Sequence, residues 1–162
     1  MFIIVKNIVD EVFQDYKKAA MLIAMPNCDF KCFKELGMSY EMCQNSSITK
    51  MPNKKIRFDY IFRKYINNKI TKSIVFGGLE PFLDFEPMYG LISYFRSNQC
   101  SDDIVIYTGY YPDEIDEKIL KLKKIKNITI KFGRFIPDSK PRFDSILGVT
   151  LASENQFARI IS

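Results

Sequence analysis

Three short apolar runs, each leading into a glycine, set the tightest limit on the fold of this chain. They are Lys72–Gly77, Asp103–Gly109 and Asn127–Gly133. Between them lie two segments, 88–95 and 112–124, whose apolar residues recur at the three- and four-residue spacing of a helix. Strand, glycine turn and helix in regular alternation predict an α/β fold, either a mainly parallel sheet or a partial, open βα barrel.

The flanking parts of the chain add further elements to this core. Residues 2–9 and 21–25 have the composition of strands, and residues 54–67 carry apolar positions that suit a helix. Residues 145–161 predict additional strand or hairpin structure. Asp84 is expected to cap the helix that follows it.

Length and composition fit one domain over residues 1–162. The chain is 47% apolar and contains neither an internal repeat nor a linker that would separate a second domain. It has no apolar run of about eighteen residues, and charged side chains interrupt its N-terminal stretch. We therefore expect a cytoplasmic protein with no membrane contact. The lysines of residues 118–126 are expected to form a solvated helix face rather than a nucleic-acid site.

Three of the four cysteines fall within sixteen residues, at Cys28, Cys32 and Cys43, and the chain contains no histidine. Clustered cysteines in a reducing compartment are more often metal ligands than disulfides, and thiolates suit iron-sulfur clusters or zinc. A cluster of four irons held by three thiolates leaves one iron open. Zinc would need a fourth ligand from Cys100 or a carboxylate, and three unrelated thiols are a further alternative. Cys100 is expected to be an ordinary thiol.

The predicted topology collects the remaining candidate residues beside the cysteines. The strand at 21–25 runs directly into Cys28, and the ends of parallel strands meet at one edge of a sheet. The predicted site comprises residues 28–45, 77–81 and 107–110, together with Gly133 and Arg134. The role of Arg134 stays open between binding a carboxylate and simple solvation.

Several of these segments, taken in order, resemble the radical S-adenosylmethionine (SAM) superfamily, and specifically the small activating protein of anaerobic ribonucleotide reductase. The cysteine loop of that family, CxxxCxxC with an aromatic residue and a following asparagine, is similar to Cys28, Phe30, Cys32, Cys43 and Asn45 here. Its Gly-Gly-Glu strand end resembles Gly77-Gly78-Leu79-Glu80-Pro81. The strand at 106–110, the Gly133-Arg134-Phe135 segment and the closing Ser153-Glu-Asn155-Gln156 are also similar to the family.

The resemblance implies a set of ligands and partners. It implies a 4Fe-4S cluster on Cys28, Cys32 and Cys43, and S-adenosyl-L-methionine bound by Gly77, Gly78, Leu79, Glu80, Thr108, Gly109, Tyr110 and Asn45. Reductive cleavage of this ligand gives a 5'-deoxyadenosyl radical, so no catalytic side chain is expected. The implied partner is a glycyl radical enzyme, the large subunit of anaerobic ribonucleotide reductase. An acidic electron donor such as flavodoxin would suit the net charge of +5.

Two departures from the family pattern keep alternatives open. Ten residues, 33–42, separate Cys32 from Cys43 where the family has two, and Leu79 interrupts the Gly-Gly-Glu motif. The glycine pair could serve only as a tight turn, and Asn155 and Gln156 could only satisfy backbone groups. The alternatives for the whole protein are a radical SAM enzyme acting on another peptide or small molecule, and a degenerate, non-catalytic metal-binding or interaction module. We expect residues 33–42 to be mobile without metal.

Overall fold

The computed structural model describes all 162 residues. It contains ten strands: β1 (Phe2–Val5), β2 (Asn7–Val12), β3 (Ala20–Ala24), β4 (Lys54–Arg57), β5 (Ser73–Gly77), β6 (Asp103–Tyr107), β7 (Ile128–Phe132), β8 (Arg142–Asp144), β9 (Val149–Leu151) and β10 (Phe157–Ile160). Its five α-helices are α1 (Lys31–Lys34), α2 (Ser46–Thr49), α3 (Phe58–Asn67), α4 (Phe85–Ser97) and α5 (Asp116–Leu122).

Six of the strands form one central sheet in the order β10-β7-β6-β5-β3-β2. The four inner strands are parallel, whereas β10 and β2 pair antiparallel at the two edges. Every residue of β5 and β7 is buried, which explains why these strands read as continuous apolar runs rather than alternating ones. The sheet does not close on itself, so the predicted α/β fold with an open, mainly parallel arrangement is confirmed.

The two faces of the sheet are covered differently. One face carries Ile74, Phe76 and Ile104 and packs against α3, α4 and α5 in a core of 26 buried residues. The other face carries Val75 and Val105, and a smaller core of 8 residues covers it, including residues of the β8–β9 hairpin and of β2. The larger apolar cluster therefore fixes the helices to one side of the sheet.

Parallel pairing brings the carboxyl ends of four strands to one edge. Ala24 at the end of β3 pairs with Gly77 at the end of β5, and Tyr107 at the end of β6 pairs with Lys131 of β7. We call this side, with the residues that follow β3, β5, β6 and β7, the strand-end edge. Cys100 lies between α4 and the start of β6 and is therefore at the opposite edge.

Two predictions for the N-terminal half were wrong. The strand expected over residues 2–9 is broken at Lys6, and its first half, β1, pairs with β4 in a separate two-stranded sheet. Lys6 is buried because its ammonium donates to two backbone carbonyls, at Thr49 and Met51. The helix expected from residue 54 begins only at Phe58, since residues 54–57 pair with β1.

The start of one helix was predicted correctly and the start of another was not. Asp84 is the N-cap residue of α4, as expected, but its side chain forms no capping hydrogen bond; its carboxylate instead accepts hydrogen bonds from the side-chain amide of Asn27. The segment expected to be helical from residue 112 opens with a 3₁₀ turn, Pro112–Glu114, before α5. The longest helix, α4, has 13 residues, and none of the helices has the length and apolar character that a membrane crossing requires.

Candidate metal centre

The loop between β3 and β4 brings the three clustered cysteines to a single cavity at the strand-end edge. Cys28 follows β3 after three residues, Cys32 lies in α1, and Cys43 follows a 3₁₀ turn, Tyr40–Met42. All three are unpaired, half-buried thiols, and all three line a cavity of about 130 Å³. The fold therefore assembles the predicted triad, including Cys43, across the ten-residue separation.

Backbone N–H groups donate hydrogen bonds to two of the three sulfurs. The Phe30 N–H donates to Cys28 Sγ at 3.3 Å, and the Asn45 N–H donates to Cys43 Sγ at 3.4 Å. Phe30 reaches this position in the left-handed region, at φ 54°. The backbone N–H of Phe135 lowers the pKa of Cys32 against the larger effect of burial, which raises it. Such donors stabilise sulfur that carries negative charge, so the sulfur environment fits a metal-bound thiolate.

Burial, by contrast, disfavours the thiolate form of the free cysteines. It raises the pKa of Cys28 to about 12, and it raises the pKa of Cys32 as well. A buried thiolate without a nearby cation is costly. Ligation by a metal centre places positive charge directly at the sulfurs, because a metal-bound thiol is deprotonated outright.

The glycine pair at the end of β5 is explained by packing. Gly78 has φ +76°, and a Cβ on it would lie 3.1 Å from the Cβ of Ala24. A Cβ on Gly77 would lie 3.3 Å from the Cβ of Tyr107. Gly78 and Leu79 line the cavity, whereas Gly77 does not. The turn interpretation is thus sufficient for both glycines, and the backbone at Gly78 still faces the site.

Glu80 is buried and holds two strand ends together. Its carboxylate accepts hydrogen bonds from the Thr108 hydroxyl at 2.7 Å, the Gly109 N–H at 2.9 Å and the Phe82 N–H at 3.0 Å. Burial raises the pKa of Glu80, and these three donors offset part of that rise. The Glu80 side chain lies in the cavity wall with its oxygens committed to its own chain.

Thr108, Gly109 and Tyr110 form the wall next to Cys32. A Cβ on Gly109 would lie 3.1 Å from Cys32 Sγ, so the absence of a side chain there makes room for the sulfur. The Tyr110 hydroxyl donates to Asp29 at 2.6 Å, directly after Cys28. All three residues line the cavity, as does Asn45 beside Cys43. The structure therefore brings together, at one cavity, every residue to which the resemblance assigns the cluster or S-adenosylmethionine, except Gly77.

Arg134 is neither solvated nor free to bind a carboxylate of a ligand. Its side chain is 7% exposed and forms ion pairs with Glu35 and Glu114. Asn155 and Gln156 satisfy backbone groups, which was one of the two interpretations left open by the sequence. The Gln156 side chain accepts a hydrogen bond from the Ser153 N–H, and the Asn155 side chain donates one to the Arg134 carbonyl. These polar groups stabilise the backbone around the site.

Lys131 is the functional candidate that sequence reasoning missed. It lies in β7, is 6% exposed, lines the cavity, and donates one hydrogen bond at 3.2 Å to the Gly133 carbonyl. Burial lowers its pKa to about 8. A lysine inside the apolar run Ile-Thr-Ile-Lys-Phe was the available signal, since a charge in a buried parallel strand needs a reason.

The side chains around the cavity do not form a single-ion site. No group of three or more cysteine, aspartate or glutamate side chains is arranged to hold one metal ion. Three half-buried thiols around a shared cavity, two of them with a backbone N–H donor, suit a larger centre with several metal atoms. The donor set therefore fits an iron-sulfur cluster better than zinc.

Comparison with known proteins gives one family. Residues 19–156 match the model of the 4Fe-4S single cluster domain, which occurs in radical SAM enzymes. The match begins just before β3, ends just before β10, and includes all three clustered cysteines. No curated protein and no solved structure matches the chain.

Proposed function

The chain belongs to the 4Fe-4S single cluster domain family, and from this we propose that it is a radical SAM activase. In this proposal the protein binds S-adenosylmethionine and installs a glycyl radical on an anaerobic ribonucleotide reductase. When bound, the reduced cluster supplies one electron that cleaves the sulfonium to methionine and a 5'-deoxyadenosyl radical. The chain's own residues bind, orient and shield the reactants.

The observation that carries the proposal is the number of thiols at the site. Cys28, Cys32 and Cys43 share the cavity, whereas Cys100 is buried at the opposite edge of the sheet. A 4Fe-4S cluster usually takes four thiolates. With Cys28, Cys32 and Cys43 as its only protein ligands, the cluster would keep one iron available for a small ligand, which is what radical SAM chemistry needs.

The cavity wall offers groups that suit this ligand. Gly78 and Leu79 present backbone where no long side chain intervenes, which favours contact with the ligand's amino group. The Lys131 ammonium has three donors and uses one of them within the chain. We assign it to the carboxylate of the ligand. Glu80 acts indirectly, by holding Thr108 and Gly109 in place.

The outer side of the site suits a protein substrate. Leu36, Tyr40 and Met42 expose large apolar surfaces in the segment between Cys32 and Cys43. A partner loop bearing the target glycine would reach the site past this segment. The large subunit of the reductase is the proposed partner, and a flavodoxin-type protein is the proposed electron donor.

The experiment is anaerobic turnover with the reconstituted protein. After reduction, we expect methionine and 5'-deoxyadenosine from S-adenosylmethionine, and a glycyl radical signal in electron paramagnetic resonance when the reductase is added. A Cys100→Ser variant serves as the matched control and should behave as wild type. Cleavage without a glycyl radical would redirect the proposal to another peptide or small molecule. Absence of cleavage with the cluster in place would contradict the SAM assignment.

A further inference from the structure

Arg134 is the most heavily bonded side chain near the metal centre. Its Nε and Nη2 donate to the two oxygens of Glu35 at 3.1 and 2.9 Å, and its Nη1 and Nη2 donate to the two oxygens of Glu114 at 2.6 Å each. Nη1 also donates to the Gly109 carbonyl at 2.6 Å. Arginine has five N–H donors, so the guanidinium is fully satisfied within the chain.

These contacts join parts of the chain that are far apart in sequence. Glu35 follows Cys32 by three residues, at the end of α1. Glu114 lies in the 3₁₀ turn before α5, and Gly109 follows β6. Arg134 itself follows β7, so its side chain fastens the helix that carries Cys32 to two strand ends.

Neighbouring contacts fasten the same part of the loop. The ammonium of Lys31 pairs with Glu114, and the Tyr110 hydroxyl donates to Asp29. The ring of Phe33 is buried beside the ring of Phe135, with centroids 6.1 Å apart. We call residues 28–35 the first cysteine segment.

The residues around Cys43 have weaker ties to the sheet. We call residues 40–49 the second cysteine segment. Local turns hold it, such as the Cys43 N–H donating to the Tyr40 carbonyl. A hydrogen bond from Lys6 to the Thr49 carbonyl reaches its far end. No side-chain ion pair involves the second cysteine segment.

We propose that Arg134 is a positioning residue that holds Cys28 and Cys32 in their ligating arrangement before any metal binds. A cluster is then captured on a prepared pair of thiols, and Cys43 completes the ligand set afterwards. The proposal rests on cluster binding by this family and not on SAM chemistry. It also replaces the expectation that the whole of residues 33–42 is loose without metal, because Glu35 is anchored.

The test is amide hydrogen exchange on the metal-free protein. In Arg134→Met we expect exchange in residues 29–35 to rise about tenfold, the loss expected for a charge-assisted bidentate pair. Exchange in residues 40–49 should change little. Arg96→Met is the matched control: Arg96 donates to three backbone carbonyls at the opposite edge, so its loss should leave residues 29–35 protected.

Glu35→Ala is a second variant that tests the same contact if Arg134→Met does not fold. Glu35 is 47% exposed, so its removal leaves the fold intact while releasing the first cysteine segment. We expect the same exchange pattern, at smaller amplitude, and no further increase when it is added to Arg134→Met. Arg134→Lys, which keeps the charge but lacks the planar fork, should fall between wild type and Arg134→Met.

Cluster assembly gives a second measurement. The iron-sulfur absorbance of Glu35→Ala should appear about threefold more slowly than that of wild type during reconstitution, and the final iron content should be unchanged. Unchanged exchange in residues 29–35 in both variants would overturn the proposal. So would an equal rise of exchange across the whole sheet in Glu35→Ala, since that would show a general loss of stability.

Discussion

The two cysteine segments reach the same cavity by different means. The first, with Cys28 and Cys32, is tied to the ends of β6 and β7 by the ion pairs of Arg134 and by the hydrogen bond from Tyr110 to Asp29. The second, with Cys43, depends on local turns, on a ring contact between Tyr40 and Phe30, and on a hydrogen bond from Lys6 at its far end. The comparison indicates that a three-thiolate site needs only part of its ligand set to be built into the sheet.

The length of the chain between the ligands explains the difference. Cys28 and Cys32 are separated by three residues, and Cys28 lies two residues before Phe30, the N-cap of the helix that carries Cys32, so one anchor places both. Ten residues separate Cys32 from Cys43, and Gly37, at φ +63°, turns the chain within them. A longer loop costs little extra entropy to close, so Cys43 can reach the site without a dedicated anchor.

The largest effect on stability is expected at Glu80, in the cavity wall beside the first cysteine segment. Replacing Glu80 by Ala strips the acceptor from Thr108, Gly109 and Phe82, and should lower the free energy of unfolding by about 3 kcal/mol. Urea denaturation of the metal-free protein measures this. Glu86→Ala, which removes only an exposed ion pair with Lys121, should cost at most about 0.5 kcal/mol. Equal costs would mean that the buried carboxylate is not a structural tie.

The next largest effect is expected on iron retention, and two glycine substitutions compare the surroundings of Cys32 with the segment between Cys32 and Cys43. A Cβ on Gly109 would lie 3.1 Å from Cys32 Sγ, so Gly109→Ala should displace the sulfur and weaken iron retention against a chelator about tenfold. Gly37→Ala is the counterpart in the segment between the cysteines. It meets no atom within 4 Å, so it should cost about 1 kcal/mol of backbone strain and leave iron retention unchanged. Equal retention in both variants would remove the distinction.

Acid sensitivity offers a smaller test of the first segment. The hydrogen bond from Arg134 lowers the pKa of Glu114 from its ordinary value of 4.5 to about 2. A depressed carboxyl pKa stabilises the fold above pH 4.5, and this stabilisation is lost as the pH falls towards 2. Unfolding measured across that range should show a shallower loss of stability in Glu114→Gln than in wild type. Parallel curves would contradict the ion pair.

The smallest effect is expected in the second segment. The ring of Tyr40 contacts the ring of Phe30, with centroids 4.8 Å apart, and this contact links the two segments. Tyr40→Ala should cost about 1 kcal/mol and raise amide exchange in residues 40–45 without affecting residues 29–35. Tyr60→Ala, at an exposed position of α3, is the control. A rise of exchange in both segments would show that they open together.

Periodicity and glycine positions in the sequence were enough to predict the parallel sheet and its strand-end edge. The runs at β5, β6 and β7 are apolar because both faces are covered, and that pattern is local information. The pairing of β1 with β4 was missed because it joins residues about fifty positions apart. Residues 54–57 read as the start of a helix until their strand partner is known.

The sequence predicted the cysteines of the site but not the hydrogen bonds and ion pairs that position them. Cysteine spacing and position after a strand placed Cys28, Cys32 and Cys43 together, and the structure shows them at one cavity. The bonds of Arg134 to Glu35 and Glu114 span 99 and 20 positions, and no short motif encodes them. Lys131 could have been noticed as a charge within an apolar strand. Its direction into the cavity depends on the sheet.

Iron content after anaerobic reconstitution with iron and sulfide is the most direct test of the central claim that Cys28, Cys32 and Cys43 hold a cluster. Wild type and the Cys100→Ser control should bind about four irons per chain and show charge-transfer absorbance. The triple variant Cys28→Ala, Cys32→Ala, Cys43→Ala should bind almost none. If wild type retains no more iron than the triple variant, the cluster assignment and the account built on it are wrong.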